Sequence, residues 1–129
     1  MAKNYDGMAV GAFELDNLVA CFVALDAASK AANVTIQSVE RNRLKSGACV
    51  KIRGSVSDVN AAMEVALETA KPLGKIVSHT VIASPSADTE VALKMTINKS
   101  VSYTHLKYLQ KDYFFFHSTV SRKSVSAVV

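Results

Sequence analysis

A long helical segment near the start of the chain is apolar around most of its circumference. It spans residues 17–32, is rich in alanine and leucine, and has Asp16 as its predicted N-cap. Its polar side chains recur at steps of three and four and form one stripe: Asp26, Ser29, Lys30 and Asn33. A sheet in a small domain covers only one side of such a helix. The remaining apolar surface therefore predicts a protein partner, most simply a second copy of the chain.

The other elements follow from periodicity and turn signals. Strands are predicted at residues 8–13, 34–37, 48–53 and 75–82, and a second helix at 58–71, capped by Ser55 with Asp58 or by Ser57. A polar loop, 41–47, joins the second and third strands into a hairpin, and a short helix is expected at 88–95. The order β-α-β-β-α-β predicts an α+β, ferredoxin-like sandwich with helices on one face of a sheet, followed by a short C-terminal helix.

The distribution of charge argues against nucleic acid as a partner. The formal net charge is +4, but residues 1–100 hold eleven Lys and Arg against ten Asp and Glu, so most of the excess lies in the last 29 residues. Nucleic-acid surfaces need clustered positive charge on the folded domain. The longest apolar run has eight residues, far below the roughly 20 needed to cross a membrane. Neither nucleic acid nor a membrane is expected as a partner.

Residue patterns for catalysis or metal binding are also missing from the sequence. His79 stands in a predicted strand between Ser78 and Thr80, which favours a structural histidine, and Cys21 and Cys49 lack the spacing of a metal site. The cysteines and the absence of a secretory signal at the N-terminus predict reduced thiols in a cytoplasmic protein. We expect no enzyme, no metal and no cofactor. Two alternatives remain open: a ferredoxin-like, oligomeric, ligand-binding regulatory protein, and a small hydrolase resembling acylphosphatase.

Several segments resemble the shell domain of bacterial microcompartments, the BMC domain. Residues 18–34 are similar, without a gap, to its first helix, which typically reads G-L-V-A-A-I-E-A-A-D-A-M-V-K-A-A-N-V. The turn Arg53-Gly54-Ser55-Val56 resembles the family's R-G-D-V. Residues 60–74 and 77–85 resemble its second helix and last strand. The resemblance is strongest over residues 8–93 and implies a single BMC domain over residues 1–100.

The resemblance implies a cyclic homohexamer that tiles edge to edge, with other shell proteins, into a sheet enclosing enzymes in the bacterial cytoplasm. The implied edge residues are Asp26, Lys30, Asn33 and Ser84. Ser84 replaces the family's usual arginine in I-P-R-P, so weaker edge contacts are expected. Small metabolites would cross a central pore lined by Arg43, Leu44, Lys45, Ser46 and Gly47.

The chain also departs from the family pattern at the pore and in the first helix. The pore hairpin is one residue longer than usual, and Asn17 and Val23 replace a glycine and a glutamate of the first helix. Six copies of Arg43 and Lys45 would form a positive ring that favours anions.

The last 29 residues, 101–129, differ in composition from the rest of the chain. They hold six of the nine Tyr and Phe residues. The stretch 101–106 is what one reading frame of a transposon end used in sequencing libraries would encode. We therefore expect this tail to be disordered, or joined artificially to an interrupted reading frame, and the domain to assemble without it.

Overall fold

The computed structural model describes residues 4–42 and 46–97. The elements in chain order are β1 (Ala9–Leu15), α1 (Leu18–Ala31), β2 (Thr35–Arg41), β3 (Ala48–Gly54), α2 (Val56–Ala70) and β4 (Ile76–Ile82). A further helix, α3, covers residues 87–97. The chain divides into two compact units at Glu90, and the packing described below belongs to the first of them. The predicted β-α-β-β-α-β order and the helix after it are confirmed.

The four strands form one antiparallel sheet in the order β2-β3-β1-β4. β1 and β3 are central and pair from Ala9–Gly54 to Leu15–Ala48, so the first and third strands form the middle of the fold. β2 pairs with β3 as the predicted hairpin, with a bulge between Ile36 and Ser38. β4 lies on the other edge, beside β1.

The core lies between one face of the sheet and the two helices. Phe13 and Leu15 of β1 and Val50 and Ile52 of β3 are fully buried beneath α1 and α2. Both helices turn alanine-rich faces inward, which lets their backbones approach the sheet and each other closely. These buried alanines are Ala20, Ala24 and Ala28 of α1 and Ala62, Ala66 and Ala70 of α2.

The N-cap of α1 differs from the prediction. Asn17, not Asp16, is the cap, and its side-chain oxygen accepts a hydrogen bond from the Ala20 N–H at 2.7 Å. Asp16 instead accepts a hydrogen bond from the backbone N–H of Lys75 at 2.9 Å, just before β4. The Asp16 carboxylate is therefore used to fix the chain leading into β4, and the next residue caps the helix.

Two further boundaries differ from the sequence-based expectations. α2 begins at Val56 rather than at residue 58, because Ser55 is the cap and accepts the Asp58 N–H at 3.1 Å. β2 extends to Arg41 rather than ending at residue 37. Its polar residue Glu40 stays in the sheet because the carboxylate forms an ion pair with Lys51 of β3, at 2.6 Å and largely shielded from solvent.

Candidate assembly interface

The exposed face of α1 has an apolar half and a polar half. Near the N-terminus of the helix, Val19, Phe22 and Val23 are exposed, Phe22 to 53%. Asp26 and Lys30 lie on the same side of the helix, nearer its C-terminus, and form the polar half. Cys21 and the alanines on the opposite side are buried against the sheet. The sequence predicted an uncovered apolar surface on this helix, and the structure locates it in one patch, the apolar half of α1.

The polar half of α1 contains two of the predicted edge residues in direct contact. Lys30 Nζ lies 2.8 Å from Asp26 Oδ2, with side chains 76% and 60% exposed. An i, i+4 pair so accessible to water contributes only about 0.3–0.5 kcal/mol to stability. The Lys30 ammonium therefore lies close to the helix surface. It would give up little stabilising energy if it turned away from Asp26 to bind a partner across an interface.

The other two predicted edge residues lie on different segments. Asn33 is exposed just beyond the end of α1, and its backbone N–H donates to Asp58 Oδ1 of α2 at 3.4 Å. Ser84 is exposed in the 83–86 connection between β4 and α3. Within the described residues, the contact that joins two of the predicted edge side chains is that between Asp26 and Lys30.

The predicted pore loop is described at its two ends, whereas Arg43, Leu44 and Lys45 lie outside the described residues. The Asn42 N–H donates to the Gly47 carbonyl oxygen at 3.1 Å and closes the base of the loop. The Asn42 side-chain amide donates to Glu14 Oε2 at 2.7 Å. Ser46, which is exposed, forms a β-bridge with Asn17. The base of the loop is therefore attached firmly beside the N-terminus of α1.

Gly47 is buried in a space that fits no side chain. A Cβ atom at this position would lie 2.1 Å from the Leu15 carbonyl oxygen and 2.9 Å from Asn42 Oδ1. The end of β1 thus packs directly against the loop backbone. This contact sets where the predicted pore loop leaves the sheet.

The loop base and the edge residues lie at opposite ends of α1. Asn17, next to Ser46, precedes the helix, whereas Lys30 stands in its last turn. A helix of 14 residues is about 21 Å long at 1.5 Å per residue. α1 is therefore a rigid spacer between the two groups of residues, with the apolar half of its exposed face nearer the loop.

Cys49 and His79 line one open pocket, together with Glu14 and Ser78. Burial and, to a smaller extent, the nearby Glu40 carboxylate raise the pKa of Cys49 to about 11, so this thiol stays protonated at neutral pH. Burial also raises the pKa of Cys21, whose Sγ lies 3.6 Å from the Ala48 carbonyl oxygen. Both cysteines are free. His79 is exposed on the edge strand β4.

The described residues contain no cluster of three or more His, Cys, Asp or Glu side chains placed to hold a metal ion. None of the helices over these residues combines the length and apolar character that a bilayer crossing requires.

Arg53, at the end of β3, forms a buried network that sequence reasoning did not foresee. Its guanidinium is fully buried and pairs with both carboxylate oxygens of Glu90, in the first turns of α3. It also donates to the carbonyl oxygens of Tyr5, Met8 and Ala9, at 3.3, 3.1 and 3.2 Å.

Two further contacts complete the surroundings of Arg53. Its Nη1 donates to Gln37 Oε1 at 3.1 Å, and the Tyr5 ring covers the guanidinium at 4.9 Å. The sequence signal for this site was the Arg-Gly pair at the end of β3, which gives no indication of a partner 37 residues away.

Comparisons with known proteins agree with this architecture. The family model described as the BMC domain matches residues 9–85. The bacterial microcompartment shell protein PduT of Citrobacter freundii is 42% identical over 78 residues, 60% of this chain and 42% of PduT, so the chain spans about two fifths of that relative. The carboxysome shell protein CcmK2 of Synechococcus elongatus is 36% identical over 97 residues, 73% of this chain and 93% of CcmK2.

A solved structure shows the same fold at low sequence identity. A microcompartment protein from Desulfitobacterium hafniense superposes with a TM-score of 0.56 at 19% identity, covering 62% of this chain and 43% of that one. The family match covers more than half of the chain, and CcmK2 is matched over nearly its whole length. The chain belongs to the BMC-domain family of bacterial microcompartment shell proteins.

Proposed function

We propose that this chain is a structural tile, a protomer of a cyclic hexamer that joins other hexamers edge to edge in a microcompartment shell in the bacterial cytoplasm. The observation that carries the proposal is the separation along α1 of the loop base from the edge residues. A ring of six protomers with their loops at the centre would hold Lys30 up to about 21 Å farther out, toward the rim. Such a tile supports a protein sheet and needs no catalytic group.

The apolar half of α1 supplies a contact between neighbouring protomers of the hexamer. Val19, Phe22 and Val23 are exposed on one side of a helix whose other side is already buried in the core. Burying a large apolar side chain contributes about 1.5–3 kcal/mol. Because these residues lie nearer the loop than the edge residues do, their burial fits a contact inside the ring rather than between rings.

The polar half of α1 supplies the contact between hexamers. We expect Lys30→Ala to leave hexamers intact and to abolish sheets, because the exposed ammonium contributes to the edge and very little to the fold. Size-exclusion chromatography with light scattering measures the hexamer, and negative-stain electron microscopy measures the sheets. Ser84, in place of the usual arginine, should make these edge contacts weaker than in most relatives.

A matched control for Lys30 is available on α2. Lys71 lies 3.0 Å from Glu68 in a similarly exposed pair, so Lys71→Ala removes an equivalent ion pair away from the proposed edge. The control should form sheets like the unmodified protein. Normal sheets from Lys30→Ala would argue against its role at the edge.

The 43–47 loop supplies a central pore through which small metabolites pass. Six copies of Arg43 and Lys45 would make its rim positive and favour anions. Replacing both residues by glutamate should reduce the passage of anionic metabolites without loss of assembly. Flux of an anionic and a neutral solute of similar size into closed shells, compared between the two proteins, provides the measurement. An unchanged ratio of the two fluxes would refute anion selectivity.

Other shell proteins and enclosed enzymes complete the proposed set of partners. The domain that assembles comprises residues 1–100, which contain the whole of the family match at residues 9–85. Residues 101–129, all of which lie beyond the described part of the chain, are assigned no role in tiling. We likewise assign no cofactor.

A further inference from the structure

Two segments assigned to the hexamer edge are anchored at the same dipeptide, Arg53-Gly54, one by direct packing on Gly54 and the other through the Arg53–Glu90 ion pair. The first segment is 30–33, at the end of α1. A Cβ atom on Gly54 would lie 3.0 Å from the Asn33 carbonyl oxygen, so the end of this segment rests directly on the β3 backbone. The hydrogen bond from the Asn33 N–H to Asp58, in the first turn of α2, holds it from the other side.

The second segment is the 83–86 connection that carries Ser84. At one end it is fixed by β4, where Ile82 pairs with Val10. At the other end Ser86 accepts the Thr89 N–H at 3.2 Å and begins α3, and Glu90 then reaches Arg53. The connection is therefore held between the sheet and a buried ion pair.

Arg53 cannot move without breaking several contacts at once. Its guanidinium is hydrogen-bonded to three backbone carbonyl oxygens, to Gln37 and to Glu90, and it is fully buried. A bidentate arginine–carboxylate pair also fixes the orientation of both groups. The start of α3 is accordingly held in one position relative to β3, and so is the connection that precedes it.

We propose that Arg53 and Glu90 are positioning residues of the hexamer edge. Their ion pair holds the 83–86 connection in place relative to the 30–33 segment, so that both segments meet the neighbouring hexamer together. Neither residue contacts that neighbour itself. The proposal rests on the proposed function and adds to it a pair of buried residues that control tiling without lying at the contact.

Two substitutions of Glu90 in the full-length chain test this. Glu90→Gln keeps the shape of the side chain but loses the charge of the pair. Glu90→Asp keeps the charge, but it is one methylene shorter and cannot reach Arg53 without displacing the start of α3. Both variants should remain hexameric. The protein concentration at which sheets first form should rise at least about tenfold, which equals about 1.4 kcal/mol.

A control variant separates positioning from a general loss of stability. Val59 lies on the buried face of α2, beside Gly11 of β1, so Val59→Ala lowers Tm without removing any group of the ion pair. It should form sheets at the concentration of the unmodified protein. The Glu90 variants should need a higher protein concentration to form sheets than Val59→Ala needs, even if Val59→Ala lowers Tm as much as they do. Circular dichroism measures Tm, and electron microscopy detects the sheets.

Two results would overturn the proposal. One is sheet formation by both Glu90 variants at the concentration at which the unmodified protein forms sheets. The other is an equal rise in the concentration that Val59→Ala needs to form sheets, which would show that the effect comes from lost stability alone. An unmodified protein that forms hexamers and sheets upholds the proposed function in either case, whereas an unmodified protein that forms neither overturns both proposals.

Discussion

Replacing Phe22 by aspartate should yield a folded protomer that no longer assembles into rings. Phe22 is 53% exposed on the apolar half of α1, so its removal opens no cavity in the core. In the ring the same side chain would be buried against a neighbour. The variant loses up to about 3 kcal/mol of apolar burial at each contact and must also desolvate a carboxylate there. Each 1.4 kcal/mol weakens association about tenfold, so we expect a loss of more than about 100-fold.

Native mass spectrometry measures the ring, and a circular dichroism melt measures the fold. Ala61→Asp is the matched control, because it places the same charge at an exposed position of α2. The control should remain hexameric. A Phe22→Asp protein that stays hexameric at low micromolar concentration would show that the apolar half of α1 is not covered by a neighbouring protomer.

Replacing Gly47 by alanine should cause the largest loss of stability of any single methyl group added to the hairpin. The new Cβ would lie 2.1 Å from the Leu15 carbonyl oxygen, a backbone atom that cannot move away as a side chain could. We expect a loss of about 3 kcal/mol, the upper end of the range for overpacking. In a domain of this size that lowers Tm by at least about 10 °C.

The neighbouring residue provides the control for Gly47. Ser46 is exposed, and Ser46→Ala keeps the backbone bridge to Asn17, so its Tm should change by less than about 4 °C. Thermal melts of the three proteins give the comparison. A Gly47→Ala protein with an unchanged Tm would mean that β1 and the base of the loop are not in the close contact described here.

The organisation of the fold could be predicted from the sequence because its helices and strands have clear periodicity. The one-sided polar stripe of α1 gave the correct extent of the helix within two residues at each end, and it indicated an uncovered surface. Which apolar residues remain exposed could not be predicted, because this depends on the side from which the sheet covers the helix. Leu18 and Leu25 pack against the core, whereas Val19, Phe22 and Val23 do not.

The errors in the prediction arise where long-range contacts decide the structure. Asp16 and Asn17 are equally good N-caps, and the choice between them depends on the Lys75 N–H, which occupies the Asp16 carboxylate. The predicted second strand ended at residue 37, but β2 continues to Arg41. It remains a strand because Glu40 is paired with Lys51 on the adjacent strand.

The buried network around Arg53 was the least accessible to sequence reasoning. An arginine next to a glycine in a turn is normally exposed, and nothing local indicates that the N-terminal turn, β2 and α3 all converge on it. The pore residues Arg43, Leu44 and Lys45, by contrast, came from the family resemblance alone. They remain predictions, because they lie outside the described residues.

The central claim, a hexameric tile, is tested most directly by native mass spectrometry of the full-length chain together with negative-stain electron microscopy of the same sample. We expect one species of six times the 13.8 kDa of a single chain, which forms flat, hexagonally packed sheets with a central pore in each ring. A monomer at all concentrations would contradict the claim. So would a smaller oligomer that changes its state on adding a nucleotide and forms no sheets.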